Sequence, residues 1–121
     1  MNEISKEMKF GVEVYDYKGE EYQIAMRFGS WRVAFLNHAD RFVEENFEKI
    51  ERHNETDEVF VLLEGSATIY EDTTPYEMEK NKIYNVKKGI WHHITVSPDA
   101  TVLVIENSNT CPDNTERKSV L

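Results

Sequence analysis

Apolar and polar residues alternate along this chain in short runs, and glycine, proline, asparagine or aspartate interrupts them at intervals. A period of two puts successive side chains on opposite faces of a strand. After a polar lead-in at residues 1–8, Phe10, Val12 and Val14 alternate, which predicts a strand from Phe10 to Tyr17. Lys18-Gly19-Glu20 supplies a turn. Tyr22, Ile24, Met26 and Phe28 share one face of a second strand, Gly29-Ser30 turns the chain, and Trp31, Val33 and Phe35 form the expected inward face of a third. These last two runs predict a hairpin. Only His38 to Asn46 suits a helical turn, and it is short.

Phe47 to His53 reads as extended. Further strands are expected over Glu58–Glu64, Ala67–Tyr70, Tyr76–Met78, Ile83–Val86, Ile90–Val96 and Thr101–Glu106, with turn residues between them. About ten short strands with a turn every eight to twelve residues or so predict an all-β sandwich or barrel in a single domain. Beyond Asn107 the chain is polar and turn-rich, N-S-N-T-C-P-D-N-T-E-R-K-S. The expected division is a β-barrel at residues 1–108 and a polar tail or arm at 109–121.

Strand parity then selects the polar side chains that share the interior. His92 falls on the face of Ile90, Ile94 and Val96, whereas His93 goes with Trp91 and Thr95. Glu58 shares a face with Phe60 and Leu62, and Glu51 with His53. If these strands are neighbours in a small barrel, Glu51, His53, Glu58 and His92 converge. Imidazole and carboxylate donors together suit Fe, Mn, Ni or Zn, and a divalent ion offsets the cost of burying two carboxylates. A metal-free arrangement uses the same residues, with Glu51 in solvent and His53 hydrogen-bonded to Glu58. The run Val59 to Leu63 is apolar on both faces, so its second face needs cover. A homodimer partner is favoured; an N-terminal strand folded back is the alternative.

Composition narrows the function. The chain has 121 residues, 40% of them hydrophobic and 12% aromatic, enough for one core. A net charge of −9 argues against nucleic acid and against anionic membrane surfaces. No apolar run approaches the length of a membrane span, and M-N-E-I-S-K-E-M lacks the apolar centre of a secretory signal, so the cytoplasm is expected. The single cysteine, Cys111, has no activating neighbour in N-T-C-P-D-N and reads as incidental. Trp31, Phe60 and Trp91 read as core, and Tyr70 and Tyr84 as packing with pocket lining the alternative. Glu44, Glu45 and Glu48 read as a solvated face. Arg27 and Arg32 read as surface residues, with capture of a substrate carboxylate the alternative.

The two polar stretches resemble the motifs of the cupin superfamily. In E-R-H-N-E-T-D-E-V-F-V-L-L-E-G, His53, Glu58 and Gly65 stand at the second histidine, the glutamate and the glycine of the first cupin motif. In K-K-G-I-W-H, Gly89 and His92 match the second, with Lys87 in place of its proline. The chain is thus similar to small single-domain cupins over most of residues 31–107. The resemblance implies an antiparallel double-stranded β-helix, an RmlC-like jelly-roll barrel, with a divalent metal at Glu51, His53, Glu58 and His92. Glu51 stands where the first metal histidine of the motif is expected, and Val96 where an asparagine often ends the second. The implied function is a pocket for a divalent metal and a small polar or carboxylate ligand. A metal-free ligand-binding or dimerisation barrel without catalysis is the alternative. Cupins host many chemistries, so no substrate follows from the resemblance.

Overall fold

A computed structural model describes residues 4–121. The N-terminal segment forms a hairpin of β1 (Ser5–Lys9) and β2 (Val12–Asp16), paired with each other and with no other strand. The remaining strands are β3 (Tyr22–Phe28), β4 (Trp31–Asn37), β5 (Lys49–His53), β6 (Glu58–Glu64), β7 (Ala67–Glu71), β8 (Thr74–Glu77), β9 (Tyr84–Val86), β10 (His92–Val96), β11 (Thr101–Asn107) and β12 (Thr115–Ser119). Single 3₁₀ turns at Asp40–Phe42, Glu44–Asn46 and Pro112–Asn114 are the only helical elements among the described residues, and none is long and apolar enough to cross a membrane.

Ten strands make two five-stranded antiparallel sheets, in the orders β12-β5-β10-β7-β8 and β3-β4-β11-β6-β9. From β4 onward every connection except β7–β8 passes from one sheet to the other. That alternation is a jelly roll, as the sequence leads one to expect. Between the sheets lie Ala34, Leu36, Phe60, Leu62, Ala67, Ile69, Ile94, Val96, Val102 and Val104, with Phe42 and Met78 closing the ends. At the sharp passage from β6 to β7, Gly65 has φ +73°, and a Cβ there would lie 2.7 Å from the Ala100 Cα. Both the conformation and the space therefore require glycine.

Two expectations need correcting. The inward residues of β4 are Arg32, Ala34 and Leu36; Val33 and Phe35 are half-buried, and Trp31 is 44% exposed. The pairing with β11 decides this, because directly paired residues share a face and Ala34 and Leu36 pair with the buried Val104 and Val102. Apolar residues occupy both faces of this run, so alternation alone leaves its orientation open. Secondly, Phe10 is not the start of a strand. It sits at the hairpin tip with φ +50°, and the polar run Ser5–Lys9 is itself a strand, supported by the ladder to β2 and a 2.9 Å Lys6–Glu13 ion pair.

Candidate metal centre

Two strands from one sheet and one from the other bring the polar residues together. Glu51 and His53 project from β5, His92 pairs with Glu51 across the β5–β10 ladder, and Glu58 opens β6 on the facing sheet. The sequence motifs explain the local geometry. Asp57, just before β6, accepts from the Lys88 N–H at 2.8 Å and from the Asn85 side chain at 3.0 Å. Gly89, with φ +80°, lets the chain turn into the two residues that lead to His92, the first residue of β10.

The four side chains meet. His92 Nε2 lies 2.9 Å from Glu58 Oε1, and His53 Nε2 lies 3.1 Å from the same oxygen and 3.3 Å from Glu51 Oε2. One donor atom from each residue falls within 4.8 Å of all the others. Donors on a tetrahedral ion with bonds of 2.0–2.1 Å stand about 3.3 Å apart, so the cluster is already near the dimensions of one ion. His53, Glu58 and His92 are buried, and Glu51 is intermediate.

The outer nitrogens of both rings are engaged. His92 Nδ1 is 2.9 Å from the Ile90 carbonyl, which can only accept, so Nδ1 carries a proton and Nε2 faces the cluster. His53 Nδ1 is 2.9 Å from the Thr115 hydroxyl. His53 Nε2 is buried without a directed hydrogen bond; the two carboxylates are close to it but off the N–H axis. An unpartnered nitrogen among carboxylate oxygens is the arrangement a cation completes.

The electrostatics agree. Burial opposes charge on His53, but the close Glu51 and Glu58 carboxylates outweigh it and raise its pKa to about 10. Burial likewise opposes charge on His92, and Glu58 overcomes it to raise the pKa. Against its own burial, Glu58 is lowered by the two histidines beside it. Protons on the imidazoles thus neutralise the carboxylates when no ion is present, and a divalent ion would take their place. His93 behaves differently. Its ring stacks on Phe47 at 4.6 Å, and burial depresses its pKa to about 4.

The cluster forms one wall of a cavity of about 270 Å³. Tyr22, Arg32 and Glu106 lie in the same lining. Arg32, expected at the surface, is buried: its Nη2 reaches Glu106 Oε2 at 3.3 Å and its Nη1 donates to the Thr110 carbonyl at 3.1 Å. Tyr22 donates to Glu106 at 2.6 Å. Burial first, and then the charge of Glu58, raise the Glu106 pKa. Glu106 was legible, since it follows Val102 and Val104 on the inward face of β11. Thr115 and Arg117 also line the cavity, from the segment expected to be a tail. The polar run T-E-R-K-S carries no apolar alternation to announce the strand.

The other candidates fall away from the cluster. Arg27 is exposed and donates to the Ser108 carbonyl. Tyr70 packs against Phe47, and the Tyr84 hydroxyl accepts from the Glu79 N–H. Trp91 is half-buried with the cations of Arg52 and Lys118 over its ring, Phe60 is core, and Glu44, Glu45, Glu48 and Cys111 are exposed.

Solved structures share this architecture. A cupin-2 domain protein from Shewanella frigidimarina superposes with a TM-score of 0.56 at 18% identity, covering 74% of this chain and 83% of that one. The chain has the cupin fold. KdgF from Halomonas, with a TM-score of 0.56 at 10% identity, covers 76% of this chain and 80% of its own. Pac13, a nucleoside dehydratase from Streptomyces, reaches 0.61 at 9% identity, covering 96% of this chain and 85% of its own. No family model and no curated protein matches the sequence. At these identities the likeness concerns the fold.

Proposed function

We propose that this cupin-fold chain holds one divalent ion through Glu51, His53, Glu58 and His92 and presents it to a small polar or carboxylate ligand in the adjoining cavity. The observation that carries the proposal is the convergence of four donors, with the imidazole Nε2 atoms turned inward and both Nδ1 atoms engaged elsewhere. Two nitrogen and two oxygen donors suit Fe, Mn, Ni or Zn. A bound ion of this kind supplies Lewis acidity toward a carbonyl or carboxylate oxygen. The chain contributes the rest. Phe42, Phe60 and Ile94 give the cavity an apolar side, and Tyr22, Arg32 and Glu106 give it a polar one that can orient a ligand.

A metal-free ligand-binding barrel has one observation in its favour: protonated His53 and His92 neutralise the carboxylates without an ion. Elemental analysis of the purified protein, followed by calorimetric titration of the chelator-treated protein with Zn²⁺, Mn²⁺, Fe²⁺ and Ni²⁺, separates the two. One ion per chain, lost on His92→Gln, is the expected result. No saturable binding of any of the four ions would leave the metal-free barrel.

A further inference from the structure

We propose that Thr115, on the C-terminal strand β12, is the positioning residue for His53. It holds the ring with Nδ1 protonated and Nε2 presented to the cluster. This rests on the metal-binding proposal above. The structural observation is a direct contact, Thr115 Oγ1 to His53 Nδ1 at 2.9 Å, between residues that are paired across the β5–β12 ladder. Ladder pairing makes the contact a property of the backbone register rather than of a flexible side chain.

Position matters because an imidazole binds a metal through one nitrogen only when the other carries the proton, and the partner of that second nitrogen sets both the tautomer and the ring angle. Ile90 does this for His92 through a carbonyl. For His53 the corresponding partner is the Thr115 hydroxyl, which accepts when Nδ1 carries the proton.

The rest of β12 supports the same role. Glu116, Arg117, Lys118 and Ser119 are all exposed, so hydrophobic packing does not explain why this strand lies on β5. Polar contacts hold it there: Glu116 accepts from Arg52 at 2.9 and 3.0 Å and from Asn54 at 2.9 Å. Arg117 reaches Glu51 Oε1 at 3.2 Å. The strand therefore touches two of the four proposed ligands, and its one half-buried side chain, Thr115, is the one on a buried histidine.

The test is Zn²⁺ affinity, measured by competition with a chromophoric chelator, for the full chain and for Thr115→Val and Thr115→Ser. Valine keeps the shape and the β-branch but has no acceptor; serine keeps the hydroxyl. Thr115→Val is expected to weaken Zn²⁺ binding about 10- to 100-fold, as loss of a hydrogen-bond partner behind a ligand does. Thr115→Ser is expected to stay within about threefold of the parent, because the acceptor remains. Nitrogen-15 shifts of His53 in the Zn²⁺-bound protein should report Nδ1 protonation in the parent and in Thr115→Ser. Should Thr115→Val not fold, Thr115→Ala serves as the variant lacking the acceptor. Parent-like affinity in the folded variant that lacks the hydroxyl would overturn this inference alone, as would serine failing like valine. A parent chain that binds none of Zn²⁺, Mn²⁺, Fe²⁺ and Ni²⁺ would overturn the metal proposal and this inference with it.

Discussion

The backbone N–H of Gly89 donates to the carbonyl of His53 at 2.8 Å. This bond joins the end of β5 to the loop that leads into β10, so the two halves of the candidate metal centre are tied by main chain as well as by side chains. His53 and His92 sit with ring centroids 5.4 Å apart. A site assembled this way needs little rearrangement on loading, which bears on how its variants should behave.

The two adjacent histidines should separate cleanly. His92→Gln is expected to lower metal affinity by about 100-fold or more, since a ligand is lost. His93→Gln should leave the affinity within about threefold, because its ring stacks on Phe47 on the opposite face. Titration of both variants with the ion found in the parent protein checks this. Equal losses would contradict the assignment.

Stability without metal should peak in mildly acidic solution. The folded pKa of His53, about 10, exceeds its ordinary value of 6.5, so its contribution is full below about pH 6.5 and is lost as pH rises toward 10. Glu58 is lowered from 4.5, so its contribution is present above about pH 4.5 and is lost as pH falls. Urea denaturation of the chelated protein across pH 4 to 10 should therefore show greatest stability at about pH 4.5–6.5. Metal affinity should run the other way at the alkaline end, strengthening as the imidazoles release their protons.

Gly65→Ala should destabilise the fold by roughly 2 kcal/mol or more, because it combines a left-handed backbone with a clash against main chain. Gly29→Ala, also at positive φ but with open space around it, should cost nearer about 1 kcal/mol. Denaturant midpoints of the two variants measure the difference.

Arg32→Ala removes the cation from a buried pair and leaves Glu106 with the Tyr22 hydroxyl but no charge partner in the cavity wall, which should cost about 3–5 kcal/mol. Arg32→Met together with Glu106→Leu keeps the volume and removes both charges, and should cost much less than Arg32→Ala. Thermal unfolding of the two proteins tests whether the buried pair carries the penalty.

We expect the chain to self-associate as a homodimer. Phe28, Trp31 and Leu63 are exposed on the β3-β4-β11-β6-β9 sheet, and Met8, Phe10, Val12 and Val14 are exposed on the free-standing hairpin. Light scattering at high micromolar concentration should report the mass of two chains. Phe28→Ser with Trp31→Ser should shift that toward one chain if this sheet forms the interface.

Where one face of a run is apolar and the other polar, alternation settled the outcome in advance. Ile90 to Val96 placed His92 inward and His93 outward, as parity requires; Glu58 shares the face of Phe60 and Leu62, and pairing of those two with the buried Val104 and Val102 turned that face inward. Those two runs, with His53 and Gly65 at motif spacing, made the fold and the four-residue cluster legible in the chain. Local pattern failed where both faces are apolar or neither is. Trp31 to Leu36 could face either way, and the pairing of Ala34 with Val104 decided it. Ser5–Lys9 and Thr115–Ser119 carry no alternation, and each became a strand by pairing with a neighbour. The burial of Arg32 depends on Glu106, a residue 74 positions away, and the hydroxyl behind His53 depends on Thr115, 62 positions away. A polar group can be buried only where another satisfies it, and which group that is depends on strand register, a property of the assembled sheets rather than of any stretch of sequence.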